Sequence, residues 1–276
     1  MRVCHIKLTL GFVIGSMNHL VVIRYYKPGD ELFCREIVKE GTMSTVNAAF
    51  VSGLTREITF QTMVLTSAMM FIFLGVPFSV CFWSVPVVII LMYVFIWLGH
   101  TFKALEMTND VSNIPRVYMS SEYTGFWVAE VHEPYFMTRE PNQVKYTIIT
   151  ERELKDNNIE IAEHHVKKIV GTVAITRSKF CTDTAWLRRM AVTTKYQRKG
   201  IASVLVDEAL RFCKDKGYSA VELVTSECHD AARELYLKKG FDLKQMYHKP
   251  LVGTVVSVQM YDFIFRIKPS ENPPSF

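Results

Sequence analysis

A short turn containing glycine and two basic residues lies between a predicted strand and a predicted helix, and its residue types suit the binding of phosphate. It runs from Gln197 through Arg198, Lys199 and Gly200 to Ile201 and Ala202. Gly200 permits a positive φ and a close backbone approach. The N–H groups of the turn and of the following helix N-terminus then point into one small volume, beside the two cationic side chains. An ordinary strand–helix corner would use the same residues, so the turn alone leaves both interpretations open.

A second informative segment follows about thirty residues later. It runs Ala232-Arg-Glu-Leu-Tyr-Leu-Lys-Lys-Gly-Phe241, which predicts a helix that ends at Gly240 before another strand. Tyr236 lies in the middle of this helix. Its hydroxyl could exchange a proton with a bound molecule, or the ring could simply pack under the sheet.

The elements that must position these residues alternate between strands and helices. The predicted strands are Val21–Tyr25, Phe126–Glu130, Ile169–Ala174, Ala185–Val192, Ala220–Thr225, Phe241–Tyr247 and Thr254–Ile267. The predicted helices are one capped by Asp30 and closed by Gly41, then Val46–Leu54, Ala202–Lys216 and Asp230–Lys239. From the second strand onward the order is β-β-β-α-β-α-β-β, which indicates an α/β fold with helices packed on a central sheet. The charged span Val131–Lys168 is too polar for a core strand and is predicted to form an exposed loop or flap.

A long apolar insert interrupts this pattern. Residues 58–102 contain no Asp, Glu, Lys or Arg over 45 positions. About 20 helical residues cross a bilayer, so the insert predicts two helices, Thr59–Val76 and Val85–Leu98. Gly75 and Pro77 separate them, and Ser84 would cap the second. A buried hairpin in a soluble core is the alternative, although neither helix offers a polar face to solvent.

Composition limits the remaining possibilities. The chain has 276 residues, a net charge of +5 and six cysteines without a Cys-x-x-Cys pair. We therefore expect reduced thiols, no metal site and no nucleic-acid partner. The domain boundaries predicted are 1–18 for an N-terminal extension, 19–57 for the first part of the domain, 58–102 for the hairpin, 103–268 for the main part (131–168 being the flap) and 269–276 for a tail.

Together, the segments from Trp186 to Phe241 resemble the two signature segments of the GNAT N-acetyltransferase superfamily, in separation and in the elements that carry them. The apolar hairpin, followed by Phe126-Trp-Val-Ala-Glu130, is similar to the camello-type membrane-associated branch. Known members of that branch acetylate the α-amine of cysteine S-conjugates or of aspartate, and lysine acetylation has also been proposed for them. The span Val131–Lys168 is longer than that branch leads us to expect.

The resemblance implies a GNAT fold, acetyl-CoA as co-substrate and a role for each signature residue. The turn residues Gln197, Arg198, Lys199, Gly200, Ile201 and Ala202 would cradle the pyrophosphate. The strand residues Met190, Ala191 and Val192 would pair with the pantetheine arm, and N–H groups near Ala191 would stabilise the oxyanion. Tyr236 would protonate the departing thiolate.

The general base is not visible in the sequence. The strand Trp186–Val192 carries no carboxylate, where many members of the superfamily place a glutamate. Glu130 and Glu222 could act through water, but salt-paired side chains are the simpler interpretation. Arg188 and Arg189 could bind a substrate carboxylate; strand alternation would send them to opposite faces, so that at most one lines the cleft.

The resulting expectation is a membrane enzyme that acetylates a small amine, with its domain in the cytosol at the endoplasmic reticulum. If the strands before and after the hairpin share one sheet, both flanks lie on one side of the membrane, and the hairpin crosses twice or is re-entrant. Acetylation of protein lysines and a non-catalytic membrane scaffold remain as alternatives. The sequence leaves the oligomeric state open.

Overall fold

The computed structural model describes residues 19–134, 141, 144–158, 165–178, 181–252 and 256–267. Within these ranges, eight strands form one sheet in the order β3-β1-β2-β4-β5-β6-β8-β7. The strands are β1 (Leu20–Tyr25), β2 (Gly125–Pro134), β3 (Thr147–Thr150), β4 (His165–Arg177), β5 (Thr184–Val192), β6 (Ala220–Ser226), β7 (Asp242–Val252) and β8 (Val256–Arg266).

The sheet is mixed, because β1 with β3 and β5 with β6 are parallel pairs, whereas the other neighbours are antiparallel. The helices are α1 (Glu31–Met43), α2 (Val46–Leu54), α3 (Glu57–Leu74), α4 (Phe78–Cys81), α5 (Ser84–Val111), α6 (Ile114–Tyr118), α7 (Glu151–Asp156), α8 (Ile201–Asp215) and α9 (Asp230–Lys238). The predicted α/β class with a mixed central sheet is confirmed.

Two apolar clusters fix the helices to opposite faces of this sheet. One contains buried residues of α8 together with Tyr236 of α9. The other contains Cys34, Ile37 and Val38 of α1, Val111 of α5 and residues of α6. Side chains alternate between the two faces along β2, so that Trp127 packs in the first cluster and Phe126 in the second.

The first helix starts at the predicted N-cap residue, but its predicted capping bond and its predicted end are wrong. Asp30 occupies the N-cap position, but it makes no side-chain capping bond and pairs with Arg24 at 2.7 Å instead. Gly41 does not close the helix, which continues to Met43. A Cβ on Gly41 would lie 3.3 Å from the Cβ of Ala191, so this glycine permits close packing of α1 on β5.

The apolar insert forms two helices that are long and apolar enough to cross a membrane, and few residues in their apolar windows are buried (6% and 11%). The first, α3, agrees with the prediction. The second does not end at Leu98: Gly99, which follows, lies inside the helix, and α5 continues to Val111. Its last turns pack on the domain through Ala104, Thr108 and Val111, so the predicted boundary at residue 103 falls inside a continuous helix. Ser84 makes no capping bond; its Oγ lies 2.8 Å from that of Ser67 in α3.

The prediction of an exposed flap over Val131–Lys168 is wrong for much of the part that the structure describes. Strand β2 continues to Pro134, with Val131 and His132 buried. Strand β3 joins the edge of the sheet beside β1, and α7 follows it with a capping box formed by Thr150 and Glu153. Residues 135–140, 142–143 and 159–164 of this span lie outside the described residues.

Candidate active site

A cleft opens in the sheet between β5 and β6. The two parallel strands pair only from Thr184 to Trp186, opposite Ala220 to Glu222. Every residue of both strands is described, and beyond Trp186 no residue of β5 pairs with β6. On its other side β5 pairs with β4 as far as Val192, and β6 pairs with β8 along its whole length. The carboxyl half of β5 therefore presents an open backbone edge, which can bind an extended ligand that carries amide groups.

The direction of each N–H group on this edge follows from one hydrogen bond. Thr193 N–H donates to the carbonyl of Val170 on β4 at 2.8 Å. Since N–H groups alternate along a strand, Val192 points its N–H into the cleft, whereas Ala191 points its N–H back to β4. Of the N–H groups near Ala191 that were considered as oxyanion donors, that of Val192 therefore faces the cleft, whereas that of Ala191 does not.

A bulge in β5 overturns the prediction that Arg188 and Arg189 point to opposite faces. Between the pairs Thr172–Ala191 and Ala174–Arg188, β5 contains one residue more than β4. Arg189 takes a φ of +53°, and Thr172 Oγ1 donates to its carbonyl at 2.8 Å. Both arginines consequently bind the same carboxylate oxygen of Asp110 in α5. The distance from Arg188 to this oxygen is 3.3 Å. They form one cationic cluster beside the bulge.

The turn after β5 has the conformation that its sequence predicts. A short 3₁₀ segment, Thr194–Tyr196, leads to Arg198 with a φ of +58° and to Gly200 with a φ of +89°. The N–H groups at the start of α8 have no carbonyl partner within the helix, so they point towards the mouth of the turn. Gln197 Nε2 donates to the carbonyl of Val192 at 2.9 Å and joins the turn to the open edge. Strand edge, turn and helix N-terminus thus form one continuous surface that suits an extended phosphorylated ligand.

Two anchors of this turn could not be found from the sequence. Tyr196 is buried and donates to Glu133 of β2 at 3.1 Å, and Tyr146 donates to the other oxygen of that carboxylate at 2.5 Å. Burial and the neighbouring carboxylate raise the pKa of both tyrosines above its ordinary value. On the opposite side, Glu40 of α1 accepts from the N–H of Thr194 at 2.9 Å. The contact of Tyr196 with Glu133 joins residues 63 positions apart, and that of Thr194 with Glu40 joins residues 154 positions apart. The one local signal was the aromatic Tyr196 inside a polar turn.

Tyr236 lies on α9 in the same apolar cluster that Met190, Val192 and Ile201 join. Its ring packs against those of Phe241 and Phe263, at centroid distances of 5.6 and 6.3 Å. Burial raises the pKa of its hydroxyl well above the ordinary value. The hydroxyl therefore stays protonated and can act as a donor at neutral pH.

The strand carboxylates that were considered as bases are both engaged in ion pairs. Glu130 binds Arg24 at 2.5 Å and His132 at 3.0 Å. Burial alone would raise the pKa of Glu130, but the hydrogen bond from His132 and the charge of Arg24 lower it to about 2. Glu222 pairs with Lys244 at 2.6 Å. The lowered pKa makes Glu130 a poor proton acceptor at neutral pH.

Comparison with known proteins identifies the domain that contains this cleft. Residues 118–241, which include β2, β4–β6, α8 and α9, match the family described as Acetyltransferase (GNAT) family. The chain carries a GNAT acetyltransferase domain. The GNAT fold predicted from the two signature segments is confirmed, and the turn and Tyr236 both lie within the matched residues.

Relatives of the GNAT domain include proteins similar to this chain over most of its length. N-acetyltransferase family 8 member 3 of Rattus norvegicus is 27% identical over 79% of this chain and 82% of its own length. Probable N-acetyltransferase camello of Xenopus tropicalis is 26% identical over 90% of this chain and 98% of its own. N-acetylaspartate synthetase of Xenopus tropicalis is 26% identical over 80% of this chain and 69% of its own. The predicted enzyme class, an acetyl-CoA-dependent N-acetyltransferase similar to the camello-type branch, is confirmed.

Proposed function

We propose that this chain is a membrane-associated enzyme that transfers the acetyl group of acetyl-CoA directly to the primary amine of a small amino-acid derivative, such as a cysteine S-conjugate or aspartate. The observation that carries the proposal is the open edge of β5, which runs without interruption into a turn with two positive φ angles and the N-terminus of α8. A CoA ester offers an amide-bearing arm and a pyrophosphate in that same order.

Each predicted site residue has a place in this proposal. Met190, Ala191 and Val192 would hold the pantetheine arm, and residues 197–202 would bind the pyrophosphate through backbone N–H groups and the charges of Arg198 and Lys199. Val192 N–H would donate to the oxygen on which negative charge develops. Tyr236 would give its proton to the departing thiolate.

The cluster of Asp110, Arg188 and Arg189 supports an acceptor that carries a carboxylate. Arg188 keeps 32% of its side chain exposed, and Asp110 holds it in place beside the bulge of β5. A guanidinium fixed in this way suits a planar carboxylate such as that of an amino acid. The name of the relative N-acetylaspartate synthetase points to the same class of acceptor for this chain.

The two apolar helices support a site close to a membrane. Arg56, between α2 and α3, pairs at 2.6 Å with Glu227, which directly follows β6 at the mouth of the cleft. The base of the hairpin therefore contacts the cleft, where an acceptor with an apolar substituent could enter from lipid. In the described part of the chain all five cysteines are free thiols. With acetyl-CoA chiefly cytosolic, we place the domain on the cytosolic face of the endoplasmic reticulum.

The test is release of CoA by the full chain in detergent, with acetyl-CoA and each of S-benzylcysteine, aspartate, free lysine and a lysine peptide. We expect turnover on S-benzylcysteine or aspartate. A matched amine, 2-(benzylthio)ethylamine, lacks only the carboxylate and should react with a much higher KM than S-benzylcysteine. Turnover on the peptide alone would show a protein-lysine acetyltransferase. Absence of acetyl-CoA binding would indicate a scaffold without catalysis.

A further inference from the structure

A histidine lies where the turn after β6 meets the mouth of the cleft. Strand β6 ends at Ser226, and His229 occupies the N-cap position of α9. The parallel register pairs Trp186 with Glu222. The bulge adds one residue to β5 beyond this pair, so Ser226, four residues further along β6, is level with Ala191, beyond the point where the strands have separated. His229 therefore follows directly on the carboxyl end of the cleft, and Tyr236 lies two helical turns, about 10 Å, beyond it on the same helix.

The ring of His229 is fixed by one neighbour. Its Nδ1 lies 2.8 Å from the Oγ of Ser226. When Nδ1 carries the hydrogen and donates to Ser226, Nε2 has a lone pair that can accept a proton. The same contact would persist in the imidazolium form, because Nδ1 remains a donor throughout.

The surroundings of His229 favour its neutral form. Burial lowers its pKa below the ordinary value, and the nearby His100 of α5 and Arg233 of α9 act in the same direction, whereas Asp230 opposes them. Arg233 is itself bound to Asp230. At neutral pH the imidazole is therefore uncharged and able to take up a proton.

Three carboxylates of β6, of the turn that follows it and of α9 already have cationic partners. Glu227 pairs with Arg56 and Asp230 with Arg233, and on the strands Glu222 pairs with Lys244. Strand β5 contains no carboxylate. The imidazole of His229 offers a proton-accepting group beside the cleft to which the sequence motifs did not point.

We propose that His229 is the general base that deprotonates the ammonium group of the acceptor, with Ser226 as its positioning residue; this inference rests on the proposed function. Nε2 takes one proton from the ammonium, and the free amine attacks the thioester carbonyl carbon. The carbon–sulfur bond breaks, and the thiolate receives the proton of Tyr236. The second proton leaves nitrogen as the amide forms and replaces the one that Tyr236 gave, and His229 releases its proton to water.

The experiment measures kcat/KM against pH for the wild type and His229→Gln, on S-benzylcysteine or aspartate, whichever the wild type acetylates. At neutral pH we expect the variant to be about 10²-fold slower or worse, the usual contribution of a general base. For the wild type, kcat/KM should rise with pH and reach its plateau before pH 7, because the imidazole is already neutral there. The variant should keep rising by about tenfold per pH unit towards the pKa of the acceptor, because it depends on amine that is already deprotonated. His248→Gln, on the exposed strand β7, is the control and should match the wild type.

Two further measurements separate a base from a structural residue. Imidazole added to His229→Ala should restore part of the lost rate, and the affinity of His229→Gln for acetyl-CoA should be unchanged. Ser226→Ala should lose less activity than His229→Gln. Wild-type activity or a wild-type pH profile in His229→Gln would overturn the assignment, as would weakened acetyl-CoA binding or absence of rescue. A wild-type protein without turnover on either amine would instead refute the proposed function on which the assignment rests.

Discussion

At the scale of single residues, the environment of Tyr236 decides what its hydroxyl can do. The ring is 4% exposed and packs against Phe241, which directly precedes β7, and Phe263 of β8. Burial penalises the phenolate, so the pKa is raised and the hydroxyl keeps its proton at neutral pH. A tyrosine that keeps its proton can donate it but is a poor nucleophile, which is consistent with the proposed role as an acid.

Replacement of Tyr236 by phenylalanine should lower kcat by about 10²-fold, because the ring keeps its packing while the proton donor is lost. The KM for acetyl-CoA and the melting temperature should change little. Steady-state CoA release and thermal unfolding measure these quantities, with Tyr247→Phe on the exposed strand β7 as the matched control. Retention of wild-type kcat would show that Tyr236 only packs under the sheet.

At the scale of elements, the turn between β5 and α8 depends on a backbone conformation that few residues adopt. Gly200 has a φ of +89°, and Gly217, at the other end of α8, has a φ of +74°. A β-branched residue is strained at either position. A substitution at Gly200 would displace the N–H groups that face the cleft, whereas one at Gly217 would leave them in place.

Gly200→Val should therefore weaken acetyl-CoA binding by at least tenfold, about 1.4 kcal/mol, while membrane association is retained. Gly217→Val is the matched control: it should lose similar stability and keep its affinity. Isothermal titration with acetyl-CoA measures both. Equal affinities in the two variants would refute the assignment of the turn as a phosphate cradle.

The same elements show what the sequence could and could not predict. Gly200, the turn and the strands around it were predictable because the signals are local: glycine, charge and alternation within a few residues. The bulge at Arg189 contains no glycine or proline to mark it, and the strand prediction therefore placed two arginines on opposite faces. The second apolar helix was predicted to end at Leu98, although the single glycine that follows does not break it and the helix continues to Val111. The contact between Tyr196 and Glu133 joins distant segments, which no local pattern reveals.

At the scale of the whole molecule, the sheet constrains the insert. Strand β1 precedes the two apolar helices and β2 follows them, yet the two strands pair along all six residues of β1, from Leu20 opposite His132 to Tyr25 opposite Trp127. Both ends of the insert must therefore lie on one side of any membrane, and the number of crossings is even. Helix α5 continues from the apolar segment into the domain and carries Asp110 to the arginines of β5, so that one uninterrupted helix connects the hairpin with the sheet.

The topology prediction follows from this pairing. Tags placed before residue 19 and after residue 267 should both be digested when protease is added to intact microsomes, because the proposed placement of the domain puts both flanks of the insert in the cytosol. A tag inserted at Gly75, between α3 and α4, should be protected if the helices cross fully and digested only after detergent is added. Digestion of the Gly75 tag together with the other two would show a hairpin that does not cross. Protection of one terminal tag alone would require a single crossing, which the pairing of β1 with β2 forbids.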